Sequence, residues 1–220
     1  MSKMNQTNQM NHLINDSDWS TMCGLIKNNR TLEILKDIYC LNFTNYCKNE
    51  RYLHHYFSEK IQKHYPICYD DSNKCRLHPE WATGGEYKKR GNEYVIDDND
   101  GTKGFIDFTI GNYSSLELGL EFKVMSSWKF QSIVFDYMKL LDCTNPLPEV
   151  ISFSIIYRDK ELSGQLTLNR INETIRALKT RLDKRLATTR PFLFWIIEIT
   201  SQEKRFWYCN DLNTGFIEIH

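Results

Sequence analysis

The strongest chemical potential in the chain lies in Asp107, inside the apolar run GFIDFTI over 104–110, and in Glu121 and Lys123, inside LELGLEFKV over 116–124. Residues two apart on a strand leave the same face about 6–7 Å from each other. Glu121 and Lys123 therefore emerge side by side while Phe122 turns to the opposite core. A hairpin partner strand brings Asp107 beside them. Two carboxylates converging from neighbouring strands, completed by waters and a substrate phosphate, make the oxygen shell that Mg2+ demands. An ammonium next to a metal-bound water can orient or help deprotonate it, and can stabilise charge building on phosphorus.

These residues need a frame, and the apolar periodicity supplies one. A short helical pair over 19–46 carries Leu25, Ile26, Leu32, Leu35, Ile38 and Tyr39 around a polar break at Lys27–Asn29. A helix over 49–64 presents the stripe Leu53, Phe57, Ile61, with Pro66 beyond its end. Polar clusters and Gly84–Gly85 make 68–104 read as loop with one strand near 94–96. The hairpin follows, turning at Gly111–Asn112, and then a helix from Ser126 or Ser127 to Asp142. VISFSIIY over 150–157 and FLFWIIEI over 192–199 are continuous apolar runs separated by a helix over 169–187, the pattern of central strands covered on both faces. RFWYC and GFIEI add short strands. The order predicts one α/β domain over 19–220, with a mixed central sheet flanked by helices, behind a flexible polar tail over 1–18.

In this setting Asp107, thirteen intervening residues and then Glu121–Phe122–Lys123 resemble the active-site signature of the PD-(D/E)XK nuclease superfamily. The resemblance covers roughly 49–200 in element order and rests on three residues; Ile106 stands where the family name has proline. It implies a restriction-endonuclease-like core and metal-dependent phosphodiester hydrolysis, with DNA as the substrate and an endonuclease mode. Asp107 and Glu121 would bind Mg2+, with Mn2+ as the alternative ion, the Phe122 carbonyl would be a further ligand, and Lys123 would be the catalytic lysine. The tripeptide alone is weak. With 14 Glu and 17 Lys in 220 residues, Glu-x-Lys arises about once by chance, and Glu86–Tyr87–Lys88 is a second copy without strand alternation. Asp107 is more telling, because a charge interrupting an apolar strand is costly without a use. Members of the superfamily also carry an acid on the preceding helix, a place Glu50 fits because it continues the Leu53–Phe57 stripe. Glu59 falls on the opposite side of that helix, and Glu80 in His78–Pro79–Glu80–Trp81 is a loop alternative. Gln131, on the helix after Lys123, is a further candidate facing the site.

Charge is balanced at 28 Lys+Arg against 28 Asp+Glu, which excludes a uniformly basic nucleic-acid coat. The distribution is uneven: residues 122–190 carry 12 bases and 7 acids. Arg176, Lys179, Arg181, Lys184 and Arg185 make a ridge outside the apolar stripe Ile171–Ile175–Leu178–Leu182, suited to a phosphate backbone. The histidines form no ligand pattern, since His54 and His55 are adjacent and His64 is far along. Seven cysteines and no export signal predict reduced thiols in a cytoplasmic protein with no membrane span. The equal six-residue gaps of Cys40/Cys47 and Cys68/Cys75 exceed usual zinc spacing. A homodimer pairing two sites is the arrangement double-strand cleavage calls for. The competing expectation is a non-catalytic nucleic-acid-binding or protein-interaction module on a similar fold.

Overall fold

The candidate hairpin forms the middle of an eight-stranded mixed sheet. The structure, a computed structural model, describes residues 14–40, 49–65, 76–126, 130–158, 164–187, 189–200 and 204–219. In chain order these form α1 (Asp16–Cys23), α2 (Asn29–Cys40), α3 (Glu50–Ile61), β1 (Arg76–Arg90), β2 (Glu93–Ile96), β3 (Thr102–Asn112), β4 (Ser115–Met125), α4 (Phe130–Leu141), β5 (Val150–Tyr157), α5 (Gly164–Leu182), β6 (Phe192–Ile199), β7 (Lys204–Cys209) and β8 (Ile217–Ile219). The sheet order is β2-β1-β3-β4-β5-β6-β7-β8, with β4, β5 and β6 parallel and every other neighbour antiparallel. Among the described residues no helix is long and apolar enough to cross a membrane.

Two apolar layers bury the sheet. Leu35 and Ile38 of α2 and Leu53, Phe57 and Ile61 of α3 pack with Leu120, Phe122, Phe153 and Trp195 on one face. Ile133, Val134 and Tyr137 of α4 and Ile171 and Leu178 of α5 pack with Val150, Phe194 and Ile196 on the other. The central strands β5 and β6 are buried along all but their last residue, as continuous apolar runs covered on both sides must be. At the start of α3 the Asn49 side chain accepts the Arg51 N–H at 2.9 Å, which fixes where the helix, and hence Glu50, begins.

Several boundaries differ from the sequence expectation. Residues 76–90, read as loop, are the fifteen-residue strand β1, and only the 94–96 strand was legible there. A register shift between Ala82 and Glu86, at Gly84–Gly85, breaks the alternation that would have revealed it. At Gly84 an added Cβ would collide with the Thr144 carbonyl. The hairpin turns at 113–114, because Gly111 and Asn112 still pair within β3. α5 begins earlier than expected and stops at Leu182, followed by a 3-10 turn at Asp183–Arg185 where Asp183 has φ 40°. α1 takes in Asp16–Asp18, which the sequence had placed in the tail, and the rest of that tail through residue 13 lies outside the described residues. So do Cys47, Cys68 and Cys75.

Candidate active site

The site forms where β3 and β4 part. Their pairing runs from Asn112↔Ser115 to Phe108↔Leu120 and ends there. Beyond that point β3 stays with β1, through Trp81↔Ile106 and Ala82↔Phe105, while β4 stays with β5 as far as Met125↔Ile156. Asp107, Glu121 and Lys123 are the first polar residues past the split. Asp107 Oδ2 accepts the Phe122 N–H at 2.7 Å, so a side chain takes the place of the departing strand's backbone.

Each side chain is held from a different element. From the α3 face, His54 Nε2 lies 3.3 Å from Asp107 Oδ2, its ring packed against Phe108 and Phe122 at 5.3 and 5.7 Å between centroids. One turn earlier on α3, Glu50 Oε2 accepts the Val124 N–H at 3.1 Å and lies 3.6 Å from Lys123 Nζ. From the α4 face, Asp136 Oδ2 lies 3.4 Å from Lys123 Nζ. Lys139 Nζ lies 2.5 Å from Glu121 Oε1, 3.1 Å from Asp136 Oδ1, and donates to the Phe105 carbonyl at 2.8 Å. Lys123 thus joins α3 to α4 around the end of the split.

The electrostatics follow from this packing. Burial works to raise the Asp107 carboxyl, but His54, the Phe122 N–H and Lys139 outweigh it and hold it below the ordinary value. Burial pushes Glu121 well up, against the pull of Lys139 and with the charges of Asp136 and Asp107 adding to the rise. Burial also works against the Lys123 ammonium, yet Asp136, Glu50 and Glu121 raise its pKa above the ordinary lysine value. Lys139 rises for the same reason, through Glu121 and Asp136. Both lysines are therefore held as ammonium. Four acidic side chains, Glu50, Asp107, Glu121 and Asp136, lie around two ammonium groups, with His54 against Asp107.

Of the expected residues, the fork brings together Asp107, Glu121, Lys123 and Glu50. Phe122 enters through its backbone, with its ring buried against Phe57 and Phe153. Glu59 is exposed, and so is Glu80, which β1 register places across from Asp107 at φ 52°. Gln131 sits on the first turn of α4, and its buried Oε1 has no hydrogen-bond partner among the described residues. The basic ridge is less free than its sequence implied. Arg181 pairs with Glu93 at 3.0 Å, and Arg185 with Asp98 at 2.7 Å and with Asp142. Lys179 donates to Asn213 at 3.2 Å, while Arg176 and Lys184 are exposed. The ridge also lies toward the wrong end of the sheet: α5 delivers the chain to Phe192, which aligns with Val150 and Gly119, whereas Lys123 is near the far end of β4.

Sequence reasoning missed Asp136, Lys139 and His54. A signal existed for the first two, since they are the only charges in the helix FQSIVFDYMKLL, and both fall on its buried face. His54 has no metal-ligand spacing in the sequence, and in the fold it contacts the Asp107 carboxylate. Comparison with family models and with curated proteins finds no match.

The donor set suits a hard cation. Mg2+ is held by one or two carboxylates and completes its octahedron with water and phosphate oxygens rather than with an all-protein cage. Asp107 and Glu121 carry such oxygens, and among the described residues no group of three or more Asp, Glu, His or Cys is placed to hold a metal ion.

Proposed function

We propose that this protein is a metal-dependent nuclease on a restriction-endonuclease-like core, hydrolysing phosphodiester bonds in DNA as an endonuclease. The observation that carries the reading is the fork itself, where Asp107, Glu121 and Lys123 lie past the parting of β3 and β4 with two further acids, Glu50 and Asp136, on Lys123. Acids gathered at a partly buried site are costly to keep charged unless a cation, a proton or a cationic partner relieves them. Asp107, Glu121 and the Phe122 carbonyl would hold Mg2+ or Mn2+, which supplies Lewis acidity and a more acidic bound water.

The chain's own groups divide the remaining work. His54 and the Phe122 N–H fix the Asp107 carboxylate in one orientation. Glu50 and Asp136 hold Lys123 extended and charged. An ammonium so held stabilises negative charge on the phosphoryl group and orients the attacking water; it is too firmly protonated to take the water's proton. Exposed Arg176 and Lys184 would meet the backbone of the substrate at a distance from the fork. A homodimer would place two forks on opposite strands.

The decisive experiment incubates the protein with plasmid, single-stranded DNA and RNA, in Mg2+, Mn2+ or EDTA, beside Glu121→Ala and Lys123→Ala. Cleavage that needs the ion and both residues supports the assignment. Substrates that survive both ions, or variants that cut as well as the wild type, overturn it. One observation favours the second reading, a non-catalytic binding module: Glu121 is already ion-paired with Lys139. That reading expects binding of nucleic acid or of a protein partner without cleavage in any arm of the same experiment.

A further inference from the structure

Past the parting of the sheet, β3 carries more than Asp107. Side chains two apart on a strand share a face. Lys103, Phe105 and Asp107 therefore follow one another on the side away from α4, because the intervening Gly104 and Ile106 face that helix. Phe105 is 56% exposed. A single apolar side chain in water is ordinary, but this one stands one same-face step, about 6–7 Å of strand, from Asp107. Of the large apolar side chains left exposed among the described residues, it is the one on a strand of the fork.

The ring is firmly mounted and uncovered. The Gly104 N–H donates to the buried Thr83 hydroxyl at 3.0 Å, and the Phe105 carbonyl accepts Lys139 Nζ at 2.8 Å, so the backbone beneath the ring is held from β1 and from α4. Its partner in register is Ala82, whose methyl group is too small to cover a phenyl ring. Among the described residues no other ring or cation stacks on it. Lys103, one same-face step further out, is exposed and forms no ion pair among the described residues, although Glu86 stands across from it in register.

An uncovered aromatic ring with an unpaired ammonium beside it is the make-up of a single-strand platform, on which a base stacks on the ring while the backbone meets the cation. A base inside a duplex has both faces covered by its neighbours and offers only its edges. Resting on the nuclease reading above, we infer that Phe105 stacks on a nucleobase next to the phosphate held at Asp107, with Lys103 on the following phosphate. The DNA taken at this site is therefore unpaired there, either single-stranded or opened at a flap, a bubble or an end. Every base has a face to stack, so binding along β3 is tolerant of sequence.

The test measures binding in EDTA, where nothing is cut, by fluorescence anisotropy on a labelled single-stranded DNA oligonucleotide and on the same sequence as a blunt duplex. Both residues are exposed, so their variants keep the fold. The wild type binds the single strand more tightly than the duplex. Phe105→Ala weakens binding of the single strand about tenfold, as the loss of one base–ring stack does, and leaves the duplex unchanged. Phe105→Tyr keeps the ring and the affinity. Lys103→Ala lowers the slope of log affinity against log salt on the single strand by about 0.7. Wild-type affinity of Phe105→Ala for the single strand, equal losses on both substrates, or a wild-type preference for the duplex overturns the inference. Cleavage of the same two substrates in Mg2+ or Mn2+ separates it from the reading on which it rests. Cleavage that needs Glu121 but is indifferent to Phe105→Ala overturns the inference and leaves the nuclease. Single-strand binding through Phe105 without cleavage in either ion overturns the nuclease reading and leaves a base-binding face. No binding to either substrate overturns both.

Discussion

Helix α4 feeds two charge networks only three residues apart, and they are built on opposite plans. At its C-terminal end Asp142, whose side chain is fully buried, accepts the Tyr87 hydroxyl at 2.9 Å, the Thr144 hydroxyl at 2.8 Å and Arg185 Nε at 3.1 Å. Arg185 continues to Asp98 at 2.7 Å, and Arg190 donates to the carbonyls of Leu140, Asp142 and Asn145. Both acids meet the Arg185 guanidinium, and Arg190 is spent on backbone carbonyls. Gly85 is part of this clasp, since a Cβ there would collide with Arg185 Nη2 and Asp142 Oδ2. The clasp ties the long β1 ribbon and the end of α5 to α4. At the fork, one turn earlier, the same helix contributes Asp136 and Lys139 to a set in which acids outnumber lysines. The clasp spends its charges within the fold, whereas the fork is the site on which the proposed function rests.

The largest effects expected separate the two by activity. Glu121→Ala and Lys123→Ala lower cleavage by about 100-fold or more, from lost charge stabilisation in the transition state. Glu121→Ala also destabilises by about 3 kcal/mol, because it leaves Lys139 charged and buried; initial cleavage rates and urea unfolding read the two. Asp142→Ala costs about 2 kcal/mol through the freed Tyr87 hydroxyl and the half-paired Arg185. Its cleavage per folded molecule, measured well below its unfolding midpoint, equals the wild type. A cleavage loss there as large as at Glu121 would erase the distinction between fork and clasp.

Smaller effects sharpen it. Arg176→Ala and Lys184→Ala each reduce the slope of log affinity against log salt by about 1, read by fluorescence anisotropy on a DNA duplex. Arg185→Ala leaves the slope unchanged, because its guanidinium is committed to Asp98 and Asp142. The smallest effect is at acid pH. The Asp107 carboxyl lies below its ordinary 3.8 in the folded protein, so its contribution to stability is complete above 3.8 and is lost as pH falls through the lower folded value. Asp107→Asn flattens that acid limb in a thermal-unfolding series, and an unchanged limb would mean that His54 and the Phe122 N–H do not hold the carboxylate.

Much of this was legible in the chain as written. Alternation in LELGLEFKV, the continuous runs over 150–157 and 192–199, and an acid interrupting GFIDFTI are local patterns, and local patterns reflect which face a residue shows. They were enough for the hairpin, the central strands and the order of elements from 104 onward, and they put Asp107, Glu121 and Lys123 on that hairpin. The helical stripe through Leu53 and Phe57 put Glu50 on the side of α3 that faces β4, where it accepts the Val124 N–H. The strand at 76–90 was hidden because a bulge at its glycines shifts the register midway.

What periodicity cannot carry is the identity of the neighbour across a gap in the chain. His54 meets Asp107, and Lys139 meets Glu121, only because α3 and α4 cover opposite faces of a sheet that splits between β3 and β4. The same ignorance made Arg181 and Arg185 look free for a phosphate backbone until Glu93, Asp98 and Asp142 were folded against them. The sequence by itself determined which residues could do chemistry and on which elements they ride. Only the tertiary structure decided which charges are cancelled and which are left over, because Coulomb energy and burial depend on distance in space and not on separation along the chain.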